Sequence, residues 1–463
     1  MPNQFAQEVD LLIEGGIVIT MNAERLIYNP GFVAVDGGKV AGTGSTASCP
    51  YVGRERVDAT NMVILPGIVN AHDHLDQSIY RSLTDEKGSR NRLLQMARGL
   101  TGERARVAAT FSLVELAHYG VTTTHENHWT NYHKDSADGV CEAVKDSGMR
   151  AVIFRGMTDK ADYIPADFVE KVEDVIEHLD RLEKKYDSTH LRISSEPSTI
   201  LRCTPEGVAA MRDWALKRDK IWHIHLAQTS DELTEALRTL GMGSVQYAES
   251  QGVLGPEMLA AHCSGILDEE VELLSKNRVR VAHCPVTQIR GGNKVPPIWK
   301  LEEQGAVVAI GTDGSATNNG QNPWEAMKMA IYMQRVHFND RFLGTAQQAL
   351  EMMTIKAAKA LDMENRVGSL DAGKEADIAL FRLDQLHLLP SKMLVNNLVY
   401  SGLSNMADTV LVGGKVILRG GRSTLIDEEE ISARVCEVQE AMIKEAGFEG
   451  EIGLSSSWKV ITN

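Results

Sequence analysis

The sequence lacks several features that mark other classes of protein. No apolar run reaches 18 residues, so no segment is long enough to span a bilayer as a helix. Lys and Arg number 48 against 63 Asp and Glu, and the net charge of -15 argues against nucleic acid or an anionic membrane surface as a partner. The first residues show neither the basic nor the apolar stretch of a signal peptide. These absences favour a globular protein of the cytoplasm.

Cysteine is also scarce, and its spacing excludes a disulfide framework. The six cysteines are scattered along the chain without a C-x-x-C pair; they are Cys49, Cys141, Cys203, Cys263, Cys284 and Cys436. Such spacing is typical of reduced thiols in a cytoplasmic protein.

The two ends of the chain share a β-type pattern. Residues 1–65 contain short apolar runs with expected turns at Gly15-Gly16 and Asp36-Gly37, and residues 366–425 repeat this pattern around Gly413-Gly414. Neither part has enough strands to bury a face alone, so we expect both to build one small β-sandwich domain. Residues 426–463 are expected to form a C-terminal helix and tail.

Residues 66–365 alternate short apolar strands with amphipathic helices. The strand candidates are the run before His72 and residues 120–124, 151–154, 191–195, 221–225, 259–262, 279–283 and 307–311. Eight strands separated by helices predict an α/β fold, a (β/α)8 TIM barrel.

Polar residues of metal-binding type stand at the carboxyl ends of these strands. They are His72, His74, His225, His262, His283 and Asp313. A lone histidine is more often a structural residue, but six such residues at successive strand ends indicate a site, because this edge of a barrel carries the catalytic residues. Alternate side chains of a strand point the same way, so both histidines of the His-x-His pair can bind one ion.

Several segments occur in a characteristic order along nearly the whole chain. They are residues 66–74 followed by Gln77 and Arg81, and residues 223–227, 261–263, 283–285, 311–315 and 368–377. With these segments the sequence resembles the amidohydrolase superfamily, and within it the branch of triazine hydrolases and nucleobase-type deaminases.

The resemblance implies one divalent ion per subunit, zinc or iron(II), held by His72, His74, His225 and Asp313. No lysine stands at the fourth strand end, where binuclear members carry a carbamylated one, so a single ion is expected. The resemblance also implies that Asp313 moves a proton from water to the leaving group and that His262 orients this water. His223 is expected to pack beside the ligands.

The substrate-contacting positions depart from the family pattern. Gln228 stands where the branch carries a glutamate that protonates a ring nitrogen, and an amide cannot deliver a proton. Ser198 and Gln288 replace a histidine and an asparagine of the family. Glu126 or Glu196 is a candidate replacement acid, although a solvated carboxylate is the commoner interpretation. The expected substrate contacts are Gln77, Arg155, Ser198, Gln228 and Gln288, with Gln228 also counted as catalytic.

We therefore expect a metal-dependent hydrolase of the aminohydrolase or deaminase type. Activated water would attack a ring carbon of a small nitrogen heterocycle and release ammonia or an amine. Displacement of a halide, alkylthio or alkoxy group and hydrolysis of a cyclic amide are alternatives, and an inactive scaffold is disfavoured because every ligand is retained. A homodimer or homotetramer is expected.

Overall fold

The computed structural model describes residues 7–84, 90–404 and 406–451. All eight predicted barrel strands are present: Ile68–Asn70, Val121–His128, Arg150–Met157, Leu191–Pro197, Trp222–Leu226, Met258–His262, Arg280–His283 and Val307–Ile310. The first four pair in parallel as one sheet and the last four as another.

Hydrogen bonds join the two sheets at both seams. The amide of His225 donates to the carbonyl of Ser198 at 3.2 Å, which links the fourth and fifth strands. Between the eighth and first strands, the amide of Ala71 donates to Ile310 at 3.2 Å and the amide of Asp313 to His72 at 3.0 Å. The eight strands therefore close into a ring, and the predicted (β/α)8 barrel is confirmed.

Strands from both ends of the chain pair in one further sheet. Its nine strands are Gln7–Ile19, Ile27–Asp36, Lys39–Ser45, Tyr51–Asp58, Met62–Pro66, Ile378–Arg382, Ala407–Val412, Lys415–Arg419 and Arg422–Ser423. Met62–Pro66 lies antiparallel to Ile378–Arg382 and so joins the two ends. The domain boundaries at residues 65, 365 and 425 stay predictions.

The turn predicted at Gly15-Gly16 is wrong. One strand continues through both glycines, and its pairing with the next strand shifts register on either side of Gly16. Gly15 has φ +91°, and a Cβ at Gly16 would lie 2.8 Å from the carbonyl oxygen of Ala59. The glycines therefore form a bulge, because they permit this backbone conformation and this close approach.

Helices surround the barrel and fill the loops at its ends. They are Arg90–Ala97, Gly102–His118, Ser136–Ser147, Val172–Tyr186, Pro205–Leu216, Ser230–Leu240, Ser244–Ser250, Glu270–Lys276, Pro285–Arg290, Ile298–Glu303, Ser315–Asn318, Pro323–His337, Ala346–Met352, Ile355–Ala360, Leu394–Tyr400 and Glu428–Ala446. Within the three described ranges, none of them combines the length and apolar character needed to cross a membrane.

The last helix, Glu428–Ala446, braces the segment that follows His74. Its Ile431, Val435 and Met442 are buried, and Gln439 Nε2 donates to the carbonyl of Ile79 at 2.9 Å. Because Ile79 belongs to the short helical segment directly after His74, the C-terminal helix supports the edge of the barrel where the polar residues gather.

Candidate metal centre and substrate cavity

Four side chains from three regions of the barrel meet at its carboxyl end. His72, His74 and His225 each offer a ring nitrogen, and these nitrogens lie within 4.8 Å of one another. Asp313 Oδ1 lies 3.7 Å from His72 Nε2 and 3.4 Å from His74 Nε2. All four residues are buried. We call them the histidine–aspartate cluster.

Two neighbouring oxygen atoms orient the imidazoles of this cluster. His74 Nδ1 lies 2.8 Å from the carbonyl oxygen of Asn127, and His225 Nδ1 lies 3.1 Å from Glu196 Oε1. A carbonyl or carboxylate oxygen only accepts, so each Nδ1 carries the proton and each Nε2 keeps a lone pair. Metal-binding histidines in proteins are oriented in this way.

The cluster leaves buried polar atoms that suit a divalent cation. Neither ring nitrogen of His72 has a hydrogen-bond partner among the described residues, and Asp313 Oδ2 has none. A buried polar atom without a partner is costly, and a cation would satisfy these atoms. Three imidazoles and one carboxylate are ligands that zinc and iron(II) both accept.

Glu196 provides a first test of this arrangement. Replacing it with glutamine removes the negative charge beside His225 Nδ1 while keeping the shape of the side chain. Loss of such an outer hydrogen bond typically weakens metal binding by about 10–100-fold. We expect this loss for Glu196→Gln in competition with a chelator of known affinity, and no change for Glu206→Gln, an exposed control. Equal affinities for wild type and Glu196→Gln would contradict the assigned role.

Strained backbone turns the chain sharply at three of the strand ends. Ala227, His262 and Asp313 have φ +49°, +72° and +61°. Residues other than glycine rarely adopt this conformation, which costs about 1–3 kcal/mol each. Such strain concentrates at functional sites, where it sets the direction of a side chain.

His262 lies beside the cluster as a neutral imidazole. Its ring stacks on that of His225, with centroids 5.4 Å apart and planes at 22°, and its Nε2 has no hydrogen-bond partner in the part of the chain that the structure describes. Burial lowers the pKa of His262 to about 3. The ring is therefore free to bind a water or substrate atom at neutral pH.

A cavity of about 500 Å³ opens onto the cluster. His74, His225 and Asp313 form part of its wall. Three predicted substrate contacts also line it: Gln77, Ser198 and Gln228. The structure brings these residues together, and their contact with substrate stays a prediction.

Arg155 must be corrected as a candidate substrate contact. It is fully buried, and its guanidinium pairs with Glu170 and lies 3.2 Å from His178 Nδ1. Neighbouring side chains of a strand point to opposite faces, so Phe154 faces the barrel interior beside His125, and Arg155 faces the surrounding helices. Arg155 therefore stabilises the barrel wall.

Gln288 also departs from the expected position. Its Nε2 donates to the main-chain carbonyl of His262 at 3.1 Å, and it does not belong to the lining of the cavity. The side chain therefore supports the strained turn at His262. The substitution relative to the family pattern suggested a substrate contact, but only the loop geometry decides its partner.

Neither candidate replacement acid reaches the cavity. Glu196 Oε1 binds His225 and lies 3.5 Å from His223 Nδ1, and Glu126 accepts from the amide of Leu75. Neither residue is part of the cavity lining. The structure therefore provides no ring-protonating acid at these two positions.

Sequence reasoning missed five charged residues of the cavity wall, which are Arg202, Asp231, Glu232, Glu235 and Arg290. Two of them stand four residues after a predicted contact, Arg202 after Ser198 and Glu232 after Gln228. This spacing could have indicated them, because residues four apart in a helical turn lie on the same side of the turn.

The comparisons with known sequences agree on one family. The model of the amidohydrolase family matches residues 63–417. A 5-methylthioadenosine/S-adenosylhomocysteine deaminase of Pelotomaculum thermopropionicum is 30% identical over 430 residues, which cover 92% of this chain and 96% of the relative. A 5'-deoxyadenosine deaminase of Methanothermobacter thermautotrophicus is 29% identical over 408 residues, which cover 87% and 92%.

Solved structures show the same architecture. The atrazine chlorohydrolase of Arthrobacter aurescens TC1, complexed with zinc, superposes with a TM-score of 0.86 at 26% identity, covering 93% of this chain and 100% of that one. An adenosine deaminase from Xanthomonas campestris with bound zinc gives 0.88 at 22% identity, covering 95% and 100%, and shows a common fold.

Fold and cluster are those of a barrel hydrolase with ligands for a divalent cation. The chain belongs to the amidohydrolase family. The resemblance and the enzyme class expected from the sequence are therefore confirmed.

Proposed function

We propose that this enzyme hydrolyses a carbon–nitrogen bond at a ring carbon of a nitrogen heterocycle and releases ammonia or an amine. The observation that carries the proposal is the histidine–aspartate cluster at the wall of the cavity. The deaminase names of the relatives support the reaction, and the zinc in similar structures supports zinc as the ion. Iron(II) suits the same ligands.

Each residue of the centre has a distinct task in this reaction. A divalent cation held by His72, His74, His225 and Asp313 would supply the acidity that lowers the pKa of a water toward about 7. Asp313 accepts a proton through its unpaired Oδ2 and passes it to the leaving nitrogen. His262 donates or accepts at Nε2, which holds the attacking water and the developing charge in place.

The charge state of Asp313 supports its task. Burial acts to raise the pKa of its carboxyl, but the amide of Gly314 donates to Oδ1 and stabilises the carboxylate, and the pKa lies below its usual value. The group is therefore ionised at neutral pH and available as a base. The Gly314 amide donates to Oδ1 at 2.8 Å, which leaves Oδ2 for the proton.

A second candidate reaction is hydrolytic displacement of a halide, alkylthio or alkoxy group. Gln228 favours it, because this amide lines the cavity and cannot protonate a ring nitrogen. Such leaving groups need less protonation than an amine. The structural similarity to an atrazine chlorohydrolase also supports this reaction.

A turnover screen separates the two reactions. Zinc-loaded enzyme is incubated with aminated, chlorinated, methylthio and methoxy forms of purines, pyrimidines, pterins and triazines. We expect ammonia from the aminated compounds, measured by a coupled assay. Release of chloride, thiol or alcohol without ammonia would replace the first reaction by the second, and no release from any compound would contradict both.

Gln228→Glu tests whether the enzyme still requires an acid at this position. We expect no gain in ammonia release, because a new carboxylate in the cavity wall would add negative charge beside Asp313 and disturb proton transfer. The measurement is kcat/KM on the screened compounds, with Gln246→Glu as a control outside the cavity lining. A large gain on a common aminated nucleobase or triazine would contradict the altered proton route.

A cytoplasmic location and a dimer or tetramer stay predictions from the sequence. As the substrate, we propose a small nitrogen heterocycle of the nucleoside or triazine type. The names of proteins that are similar to this chain in sequence or structure include such compounds.

A further inference from the structure

Arg202 lines the same cavity as the histidine–aspartate cluster. Arg202 lies in the segment that follows the fourth barrel strand, Leu191–Pro197, four residues after Ser198. Both side chains line the cavity. One continuous space therefore joins the proposed reaction centre to a positively charged group.

Arg202 has guanidinium N–H donors that are available to a ligand. A guanidinium carries five N–H groups, and among the described residues the guanidinium of Arg202 makes one hydrogen bond, a long one from Nη1 to Ser198 Oγ at 3.4 Å. No carboxylate of the described residues lies within 4.0 Å of it. The acidic group whose charge acts on it is Glu232, but this carboxylate accepts from the amides of Ala227 and Gln228 at 3.1 and 2.9 Å.

The two fully buried arginines of the described residues are each paired with a carboxylate. Arg150 contacts both carboxylate oxygens of Asp377, and Arg155 contacts both of Glu170. Arg202 is partly shielded from water and has no such partner among the described residues, so its position on a cavity wall points to a ligand that supplies the anion. Burial lowers the pKa of Arg202 to about 10, and the group therefore stays charged at neutral pH.

The size of the cavity also leaves room for more than a ring. A volume of about 500 Å³ is in the range that holds drug-sized ligands. A heterocyclic ring placed at the histidine–aspartate cluster would fill only part of it. A substituent on this ring would extend along the wall that contains Ser198 and Arg202.

We propose that the substrate carries an anionic group, a carboxylate or a phosphate, which Arg202 binds while the ring lies at the histidine–aspartate cluster. The proposal rests on the proposed function, because it names the substrate class of the same cavity. The planar fork of arginine matches the oxygens of both anions. The hydroxyl of Ser198 accepts a hydrogen bond from Nη1 of Arg202 and positions the guanidinium. Arg202 is then a specificity-determining residue.

The test compares ligands that share a ring and differ in whether they carry an anionic group. The pairs are cytosine and cytosine-5-carboxylate, pterin and pterin-6-carboxylate, 5′-methylthioadenosine and S-adenosylhomocysteine, and adenosine and adenosine 5′-monophosphate. The carboxamide of S-adenosylhomocysteine serves as a ligand of equal size without the negative charge. Affinities are measured by calorimetry on the zinc-loaded protein, so that the comparison needs no turnover.

We expect at least one anionic ligand to bind more tightly than its neutral form. Arg202→Gln should weaken that binding by about 10–100-fold, the loss expected for a charged hydrogen-bonded pair, and leave the neutral ligand unchanged. The affinity of Arg202→Lys for the anionic ligand should lie between those of wild type and Arg202→Gln, because lysine keeps the positive charge and lacks the planar guanidinium. Arg419→Gln, an exposed control, should match wild type. The carboxylate and phosphate pairs show which anion the site takes.

Three outcomes overturn the proposal. They are equal affinity for neutral and anionic forms, anion binding that survives in Arg202→Gln and so involves the cation instead, and no Arg202-dependent binding by any ligand. Arg202-dependent binding without turnover supports the anion site and contradicts the proposed function. Turnover restricted to neutral compounds supports the proposed function and contradicts the anion site.

Discussion

His225→Ala is expected to remove the bound cation and abolish turnover. His225 contributes one of three ring nitrogens that lie within 4.8 Å of one another, and its Nδ1 is held by Glu196. Alanine removes this ligand and leaves Glu196 as a buried carboxylate beside the site. We expect the metal content by elemental analysis to fall from near one equivalent at this centre to a trace.

The matched control is His223→Gln, two residues earlier on the same strand. His223 stacks on His72 with centroids 5.0 Å apart and planes at 12°, and its Nδ1 lies 3.2 Å from Asn127 Nδ2. It packs beside the ligands, so this variant should keep its metal. A metal-free His223→Gln together with a metal-loaded His225→Ala would reverse the two assignments. Thermal unfolding of both variants separates metal loss from misfolding.

His262→Ala is expected to keep most of its metal and lose turnover by about 10²–10⁴-fold, the usual contribution of one acid–base or orienting group. The reason is that His262 lies beside the cluster with an unpaired Nε2 and acts on water or substrate. The measurements are kcat and metal content of the same preparation.

Gln288→Ala is compared with His262→Ala because it is expected to affect His262 less severely. It removes the hydrogen bond to the His262 carbonyl and leaves the imidazole in place. We expect a smaller loss of kcat than in His262→Ala, with metal retained. A metal-free His262→Ala would show that this histidine is a ligand, and equal kcat for His262→Ala and wild type would remove it from the reaction.

Much of the barrel could be predicted because its strands are short apolar runs of local pattern. The run before His72 and the runs at 120–124 and 221–225 stand out between amphipathic helices, and the structure has strands at Val121–His128 and Trp222–Leu226. The carboxyl ends of parallel strands in a barrel share one edge. Strand order and the position of His72 or His225 at a strand end therefore follow from the sequence.

The face that a side chain takes could not be predicted as well. Arg155 and Phe154 are adjacent, and a shift of one residue in the strand exchanges the interior for the exterior. Gly15-Gly16 looks like a turn, but its conformation depends on Ala59 and on pairing with Ile27–Asp36. These outcomes depend on neighbours that are distant in sequence.

The sequence by itself determined the candidate ligand types, their order along the chain and the family to which the chain belongs. His-x-His, the later histidine at residue 225 and the aspartate at 313 carry the chemistry of a cation site in their side chains. These properties are local, because residue identity and strand periodicity can be read from the sequence without knowledge of any tertiary contact.

Only the tertiary structure decided how these side chains are held and what else shares their cavity. Asn127 orients His74 from 53 residues away, and Glu196 orients His225 from 29 residues away. The guanidinium of Arg202, which has no carboxylate partner among the described residues, likewise has meaning only because the closed barrel places it on the wall of the same cavity. Barrel closure creates these contacts between distant residues, and no local pattern encodes them.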